Sequence, residues 1–220
     1  MRFTIAREGF PLAAPFVVAA VVFLALGWYP AGGACLLVAL GILFFFRDPA
    51  RTPPEDPSLV LAPADGLVVG ITEVEEPDYV GGPATRVSIF LRLWDVHMTY
   101  APVDGTIEHI AHRPGRFGNA GFAKASERNE ANSIGVRAAG GRLLFRQIAG
   151  MIARRVVCHV KPGDEVRRGQ RVGLIKFGSR VDVFLPRGAR GYEVLVEKGQ
   201  HVRGITSPIA RVRGASLEVE

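Results

Sequence analysis

At 220 residues the chain is long enough for one good-sized core and an appendage, which sets aside a string of domains. Its 26 glycines and 15 prolines argue against a helical bundle and favour short strands with frequent turns. A net charge of +6 suits a polyanionic partner, but the arginines are scattered and match no nucleic-acid motif.

The first predicted element is an apolar helical hairpin over residues 1–46. No charged side chain occurs from Phe10 to Trp28, and none from Ala31 to Phe46. The stretch from Gly27 to Gly33 separates the two runs with a turn composition and two aromatics that favour a membrane interface. Each run would measure roughly 24–28 Å as helix, short for a hydrocarbon core of about 30 Å, so spanning and shallow insertion both stay open. Arg2 and Arg7 precede the pair, and Arg47 and Arg51 follow it. Basic residues at both outer ends place them on the cytoplasmic side of a cell membrane, with the anionic leaflet as partner instead of nucleic acid. A cleaved signal peptide leaves the second run unexplained. Cys35 in the hairpin and Cys158 in a later strand make no disulfide framework, so reduced thiols are expected.

Residues 47–60, with Pro53-Pro54 and alternating charges, read as an extended linker. Residues 61–220 then read as a mainly β domain. Leu67-Val68-Val69, the alternating run from Arg86 to Leu91, Leu143-Leu144-Phe145 and the run from Arg155 to Val160 are its clearest predicted strands. The segment from Phe122 to Glu130 reads as a short helix or loop between them. Ala62-Pro63-Ala64-Asp65-Gly66 recurs as Ala101-Pro102-Val103-Asp104-Gly105, and Gly163 to Gln170 is echoed by Gly199 to Gly204. Each couples a turn to an outgoing strand, which predicts a pseudo-symmetric sandwich of short bent strands resembling a duplicated lipoyl/biotinyl-type module.

Near the C-terminus stands Phe177-Gly178-Ser179-Arg180. A Gly-Ser bond alone is usually an ordinary turn. It also suits self-cleavage, because glycine permits a strained turn and adds no Cβ beside the scissile carbonyl. A serine hydroxyl attacking the preceding carbonyl, followed by β-elimination, would leave an N-terminal pyruvoyl group, an electrophile able to do Schiff-base chemistry.

In order, Phe46-Arg47-Asp48-Pro49, Ala62 to Gly66, Asp95-Val96-His97, Ala101-Pro102-Val103, His112-Arg113-Pro114-Gly115, Glu127-Arg128-Asn129-Glu130, Gln147-Ile148-Ala149-Gly150, Ala153-Arg154-Arg155 and Phe177 to Val183 are similar to motifs of phosphatidylserine decarboxylases. With the apolar hairpin ahead of them, the chain resembles the short membrane-anchored branch over nearly its whole length. The resemblance implies self-cleavage between Gly178 and Ser179, with fragments 1–178 and 179–220 held as a heterodimer. It implies a pyruvoyl group derived from Ser179, with no metal and no pyridoxal phosphate, acting on phosphatidylserine to give phosphatidylethanolamine.

By the same likeness Asp65 serves the Ser179 proton and His97 is the acid for decarboxylation, though a turn aspartate and a wall histidine have plain structural readings too. Tyr100 stands three residues after His97, where larger bacterial members carry a second histidine, so the group that activates Ser179 stays open among Asp65, water and backbone strain. Arg47, Arg51 and Arg180 are candidates to meet the lipid's phosphate and carboxylate, or are generic anchors. His109, His112, His159 and His201 lack metal-ligand spacing. The competing reading is a non-catalytic membrane-tethered carrier or adaptor module of lipoyl/biotinyl-like fold, with Lys176 near the modification position but without the usual flanking residues.

Overall fold

A computed structural model of the chain describes residues 3–115, 129–150, 156–175, 179–188 and 191–213. It divides into two compact units, residues 1–50 and 51–220. The predicted helix or loop at 122–130 lies outside the described residues up to 128.

In the first unit, β1 (Phe3–Ile5) leads through a 3-10 turn into α1 (Phe10–Ala25), which is followed by α2 (Tyr29–Phe45) and β2 (Arg47–Pro49). β1 and β2 pair antiparallel and close the open end of the hairpin, Phe3 opposite Pro49. Ala13 and Ala20 of α1, and Gly32 and Ala39 of α2, are the buried small residues. Their seven-residue spacing lets two backbones approach closely along one seam. The large side chains face the other way: Val18, Val21, Leu37 and Leu40 are all exposed. Small residues inside and bulky apolar residues outside suit a lipid solvent, and the helix from Arg7 to Ala25 is long and apolar enough to cross a membrane. The turn is shorter than its composition suggests. α2 already begins at Tyr29, because Pro30 in a first helical turn has no N–H to lose and a φ suited to the helix.

The second unit is mainly β, as the sequence predicts. Its strands are β3 (Leu59–Leu61), β4 (Gly66–Glu76), β5 (Gly82–Phe90), β6 (Met98–Tyr100), β7 (Gly105–Arg113), β8 (Ala131–Ala138), β9 (Gly141–Ile148), β10 (Val156–Cys158), β11 (Glu165–Val166), β12 (Arg171–Ile175), β13 (Arg180–Pro186), β14 (Tyr192–Val194), β15 (His201–Val202) and β16 (Pro208–Val212). Eight form one sheet in the order β11-β7-β8-β9-β13-β5-β4-β15, with smaller sheets β10-β12-β6 and β14-β16-β3. β13 lies in the middle, antiparallel to β5 on one side and β9 on the other. Val68, Val87, Ile107, Ile134, Phe145 and Val183 belong to one buried core.

The repeat is realised hydrogen bond by hydrogen bond. Gly199 N–H donates to Val68 O at 2.8 Å, and Gly163 N–H to Ile107 O at 2.8 Å. β15 pairs with the start of β4 as β11 pairs with the start of β7. Gly66 and Gly105 open those two strands where a Cβ would lie 2.3 Å from Phe90 O and 2.2 Å from Arg137 O respectively, so no side chain fits either place. Asp65 accepts the N–H of Gly204 at 2.8 Å, and Asp104 accepts that of Arg168 at 2.9 Å. Even the strained backbone is shared: Ile205 has φ 73° where Gly169 has φ 80°.

Candidate active site

Ser179 stands immediately before the central strand. Its carbonyl accepts the N–H of Leu91 at 2.9 Å, which extends the β5–β13 ladder by one residue. The residue is fully buried, and its hydroxyl has no hydrogen-bond partner among the described residues. Gly178, and with it the scissile bond, lies outside the described residues, as does Lys176.

Leu91 also begins the turn that leads to His97. His97 is fully buried, and its carbonyl accepts the N–H of Ile175 at 3.1 Å, at the end of β12. Its Nδ1 lies 2.9 Å from the Asp95 carbonyl oxygen. A carbonyl can only accept, so Nδ1 carries the proton, and in the neutral ring Nε2 keeps its lone pair for acid–base work.

Asp65 lies in the turn between β3 and β4 and is almost fully buried. Arg51 grips it with both guanidinium nitrogens: Nη1 on Oδ1, and Nη2 on Oδ2 at 2.8 Å. The same Nη1 donates to Gly204 O at 2.9 Å. Tyr100 donates its N–H to Pro63 O at 2.8 Å, and its ring packs against Gly204, so the residue in the second-histidine position borders the turn of Asp65.

These segments meet on one small apolar cluster of Ala64, Leu91, Ile175 and Val181. Ala64 precedes Asp65, Leu91 is bonded to Ser179, Ile175 is bonded to His97, and Val181 is two residues past Ser179. Distant parts of the sequence thus converge on a dry patch, where a polar group interacts more strongly than in water.

Sequence reasoning gave no role to several residues here. The Asp95 carboxylate is buried, accepts the Arg92 N–H at 2.8 Å and lies 3.2 Å from His201 Nε2. Gln147, fully buried on β9, donates to Thr99 Oγ1 at 3.1 Å and accepts from Asn132 at 3.3 Å. This polar string ties β8 and β9 to β6, the strand that follows His97. Its one sequence signal is an amide at the position that strand alternation puts on the same face as Leu143 and Phe145.

The three candidate arginines have separate surroundings. Arg47, in the hairpin unit, donates to Phe44 O at 3.0 Å and lies over the Phe44 ring. Arg51 is engaged with Asp65. Arg180, 2% exposed, forms a two-point ion pair with Asp182, at 2.6 and 3.0 Å, and donates to Ser88 Oγ at 3.1 Å. Removing one partner of a buried pair strands the other charge, so Arg180→Ala should destabilise the fold by about 3–5 kcal/mol. Replacing Arg180 and Asp182 together by apolar residues of similar size should recover much of that loss. Thermal denaturation of both variants in detergent checks the pair.

Among the described residues, no group of three or more His, Cys, Asp or Glu side chains is arranged to hold a metal ion.

A family model described as phosphatidylserine decarboxylase matches residues 39–209. The chain is 47% identical over 178 residues to a phosphatidylserine decarboxylase proenzyme of Carboxydothermus hydrogenoformans, covering 81% of this chain and 83% of the relative. It is 46% identical over 211 residues to the proenzyme of the same description from Nitrosomonas eutropha, covering 95% of each. The one from Nitrosomonas europaea is 48% identical over 188 residues, covering 84% of this chain and 86% of that one. With the family model spanning most of the chain and near-full-length relatives at this identity, this protein belongs to the phosphatidylserine decarboxylase family.

Proposed function

We propose that the protein decarboxylates phosphatidylserine to phosphatidylethanolamine, using a pyruvoyl group made from Ser179 by self-cleavage at the Gly178–Ser179 bond. The observation that carries this reading is the Ser179 hydroxyl, buried and without a partner among the described residues at the head of the central strand. An unsatisfied buried hydroxyl adds nothing to stability, so a chemical role accounts for it better. The relatives' description as proenzymes supports a processing step.

In that step Ser179 Oγ bonds to the Gly178 carbonyl carbon as the amide C–N bond breaks. Elimination then frees the Gly178 carboxylate, and water replaces ammonia to leave the ketone. The surroundings fit such a group: Ala64, Leu91, Ile175 and Val181 keep water away, and the Leu91 N–H holds the Ser179 carbonyl in register. The pyruvoyl ketone supplies an electrophilic carbonyl for the substrate amine and a sink for the electrons that CO₂ leaves behind. Asp65 takes or orients the Ser179 proton, directly or through water. His97 Nε2, which holds a lone pair, takes the proton that the substrate ammonium must lose and returns it to the substrate carbon once CO₂ has left. Arg47 is a candidate for the lipid's phosphate or carboxylate; Arg51 and Arg180 could join it only by loosening their holds on Asp65 and Asp182. The hairpin holds the enzyme in the cell membrane, with residues 51–220 on the cytoplasmic side that the flanking arginines favour.

The fragments stay together as a heterodimer, because β13, β15 and β16 of 179–220 pair with β5, β9, β4 and β3 of 1–178. Protein reconstituted with phosphatidylserine should release CO₂ and form phosphatidylethanolamine. It should run as one species when native and as two fragments when denatured. Fragment 179–220 should be lighter by one ammonia than a peptide beginning with serine. An intact chain that turns over the lipid, or a small fragment with a free amine, would overturn the pyruvoyl reading.

A further inference from the structure

The turn from Arg92 to Asp95 has a composition that turn-making does not explain. Asp95 N–H donates to Arg92 O at 2.9 Å, and the Asp95 carboxylate reaches back to Arg92 N–H at 2.8 Å, so the turn is clamped from both sides. Its two central residues are Leu93 and Trp94, where glycine, proline, asparagine or aspartate are the usual choices. They are 58% and 61% exposed, and the only other exposed large apolar side chain among the described residues of this unit is Leu195. A clamped turn thus holds two adjacent bulky apolar groups out in solvent.

The rim of this turn is cationic. The Arg92 guanidinium lies over the Trp94 ring, 5.7 Å from its centroid. His201 is exposed and lies 3.2 Å from the Asp95 carboxylate, and Arg203, two residues on, is exposed as well. The acid within the cluster, Asp95, is buried and already engaged. Trp beside arginine is the pairing that settles at a lipid headgroup layer, and a basic rim favours an anionic leaflet. Three residues after Trp94 comes His97.

We propose that this turn docks the second unit onto an anionic bilayer, with Leu93 and Trp94 entering the interface between Leu91, which is bonded to Ser179, and His97. The inference rests on the reading that the substrate is a membrane lipid. Docking there would bring lipid headgroups to the segment that carries His97 and is bonded to Ser179.

The chain has two tryptophans, so Trp28→Phe leaves Trp94 as the sole reporter in the full-length protein. In vesicles of phosphatidylcholine and phosphatidylglycerol, Trp94 emission should shift to the blue and be quenched by lipids brominated high on the acyl chain. Absence of quenching overturns the proposal, as does a blue shift that depends on protein concentration and not on lipid, which would mark a second copy as the occupant. In kinetics, the double variant Leu93→Ser, Trp94→Ser should lose about 10-fold in kcat/KM on vesicle-borne phosphatidylserine. Self-cleavage and turnover of a monomeric short-chain substrate should stay within about twofold of the parent. Equal losses on both substrates would make the turn part of the reaction site and refute docking. A parent protein that decarboxylates neither substrate would refute the functional reading, while the quenching result would still decide docking.

Discussion

Ser179→Ala is expected to remain a single chain of 23.8 kDa on a denaturing gel and to release no measurable CO₂ from phosphatidylserine. The expected loss is on the order of 10⁴-fold or more, because the substitution removes the reacting group itself and not a helper. Stability should hardly change. The hydroxyl has no partner among the described residues, so its removal breaks no hydrogen bond and leaves no other polar group stranded. The Leu91 N–H is bonded to the Ser179 carbonyl, which alanine keeps. A folded, uncleaved and inactive protein would separate a chemical role for Ser179 from a structural one. Retained turnover in the uncleaved variant would end the pyruvoyl hypothesis, whatever the parent does.

Much of this was legible in the sequence, for reasons that belong to particular residues. The hairpin is visible because charges vanish from Phe10 to Trp28 and from Ala31 to Phe46, and a chain in lipid needs that. β5 is visible because its alternation records one face against the core, and β9 because Leu143-Leu144-Phe145 is a short apolar run, buried on both faces. The repeat of Ala62 to Gly66 at Ala101 to Gly105 is visible because both copies need a glycine pressed against a facing carbonyl. β11 and β15 leave no period to read in two residues, and only the echo of Gly163 to Gln170 at Gly199 to Gly204 marks them. The roles of Asp95 and Gln147 are hidden for a different reason. Their partners His201 and Thr99 lie 106 and 48 residues away, and only folding brings them together. Arg180 carried a signal that the sequence reading passed over. Residues two apart on a strand share a face, so Asp182 was its nearest anionic neighbour from the outset.

The second large effect separates the two reactions that Asp65 and His97 are proposed to serve. Asp104 provides the internal control, because it accepts the same backbone N–H in the other copy of the repeat and carries an arginine, Arg168, beside it. If Asp65 were only a turn residue, folded Asp65→Asn and Asp104→Asn proteins should both self-process, with the stability lost beside buried Arg51 confined to the first. If Asp65 serves the Ser179 proton, Asp65→Asn alone should accumulate precursor, since an amide cannot accept the proton. Losing a positioned acid–base group typically slows a reaction by about 10²–10⁴-fold. His97 is assigned to the turnover step alone, so its loss leaves maturation its base. His97→Ala should therefore yield substantial processed protein with decarboxylase activity lowered by about 10²–10⁴-fold. The burial of His97 makes folding the confounding variable, so His97→Gln, which fills more of the same space, belongs beside it. Cleaved fraction and CO₂ release measured on the same preparations decide between the assignments. A folded His97 variant that stays wholly uncleaved would make this histidine the driver of maturation, and the division of labour proposed for Asp65 and His97 would be wrong.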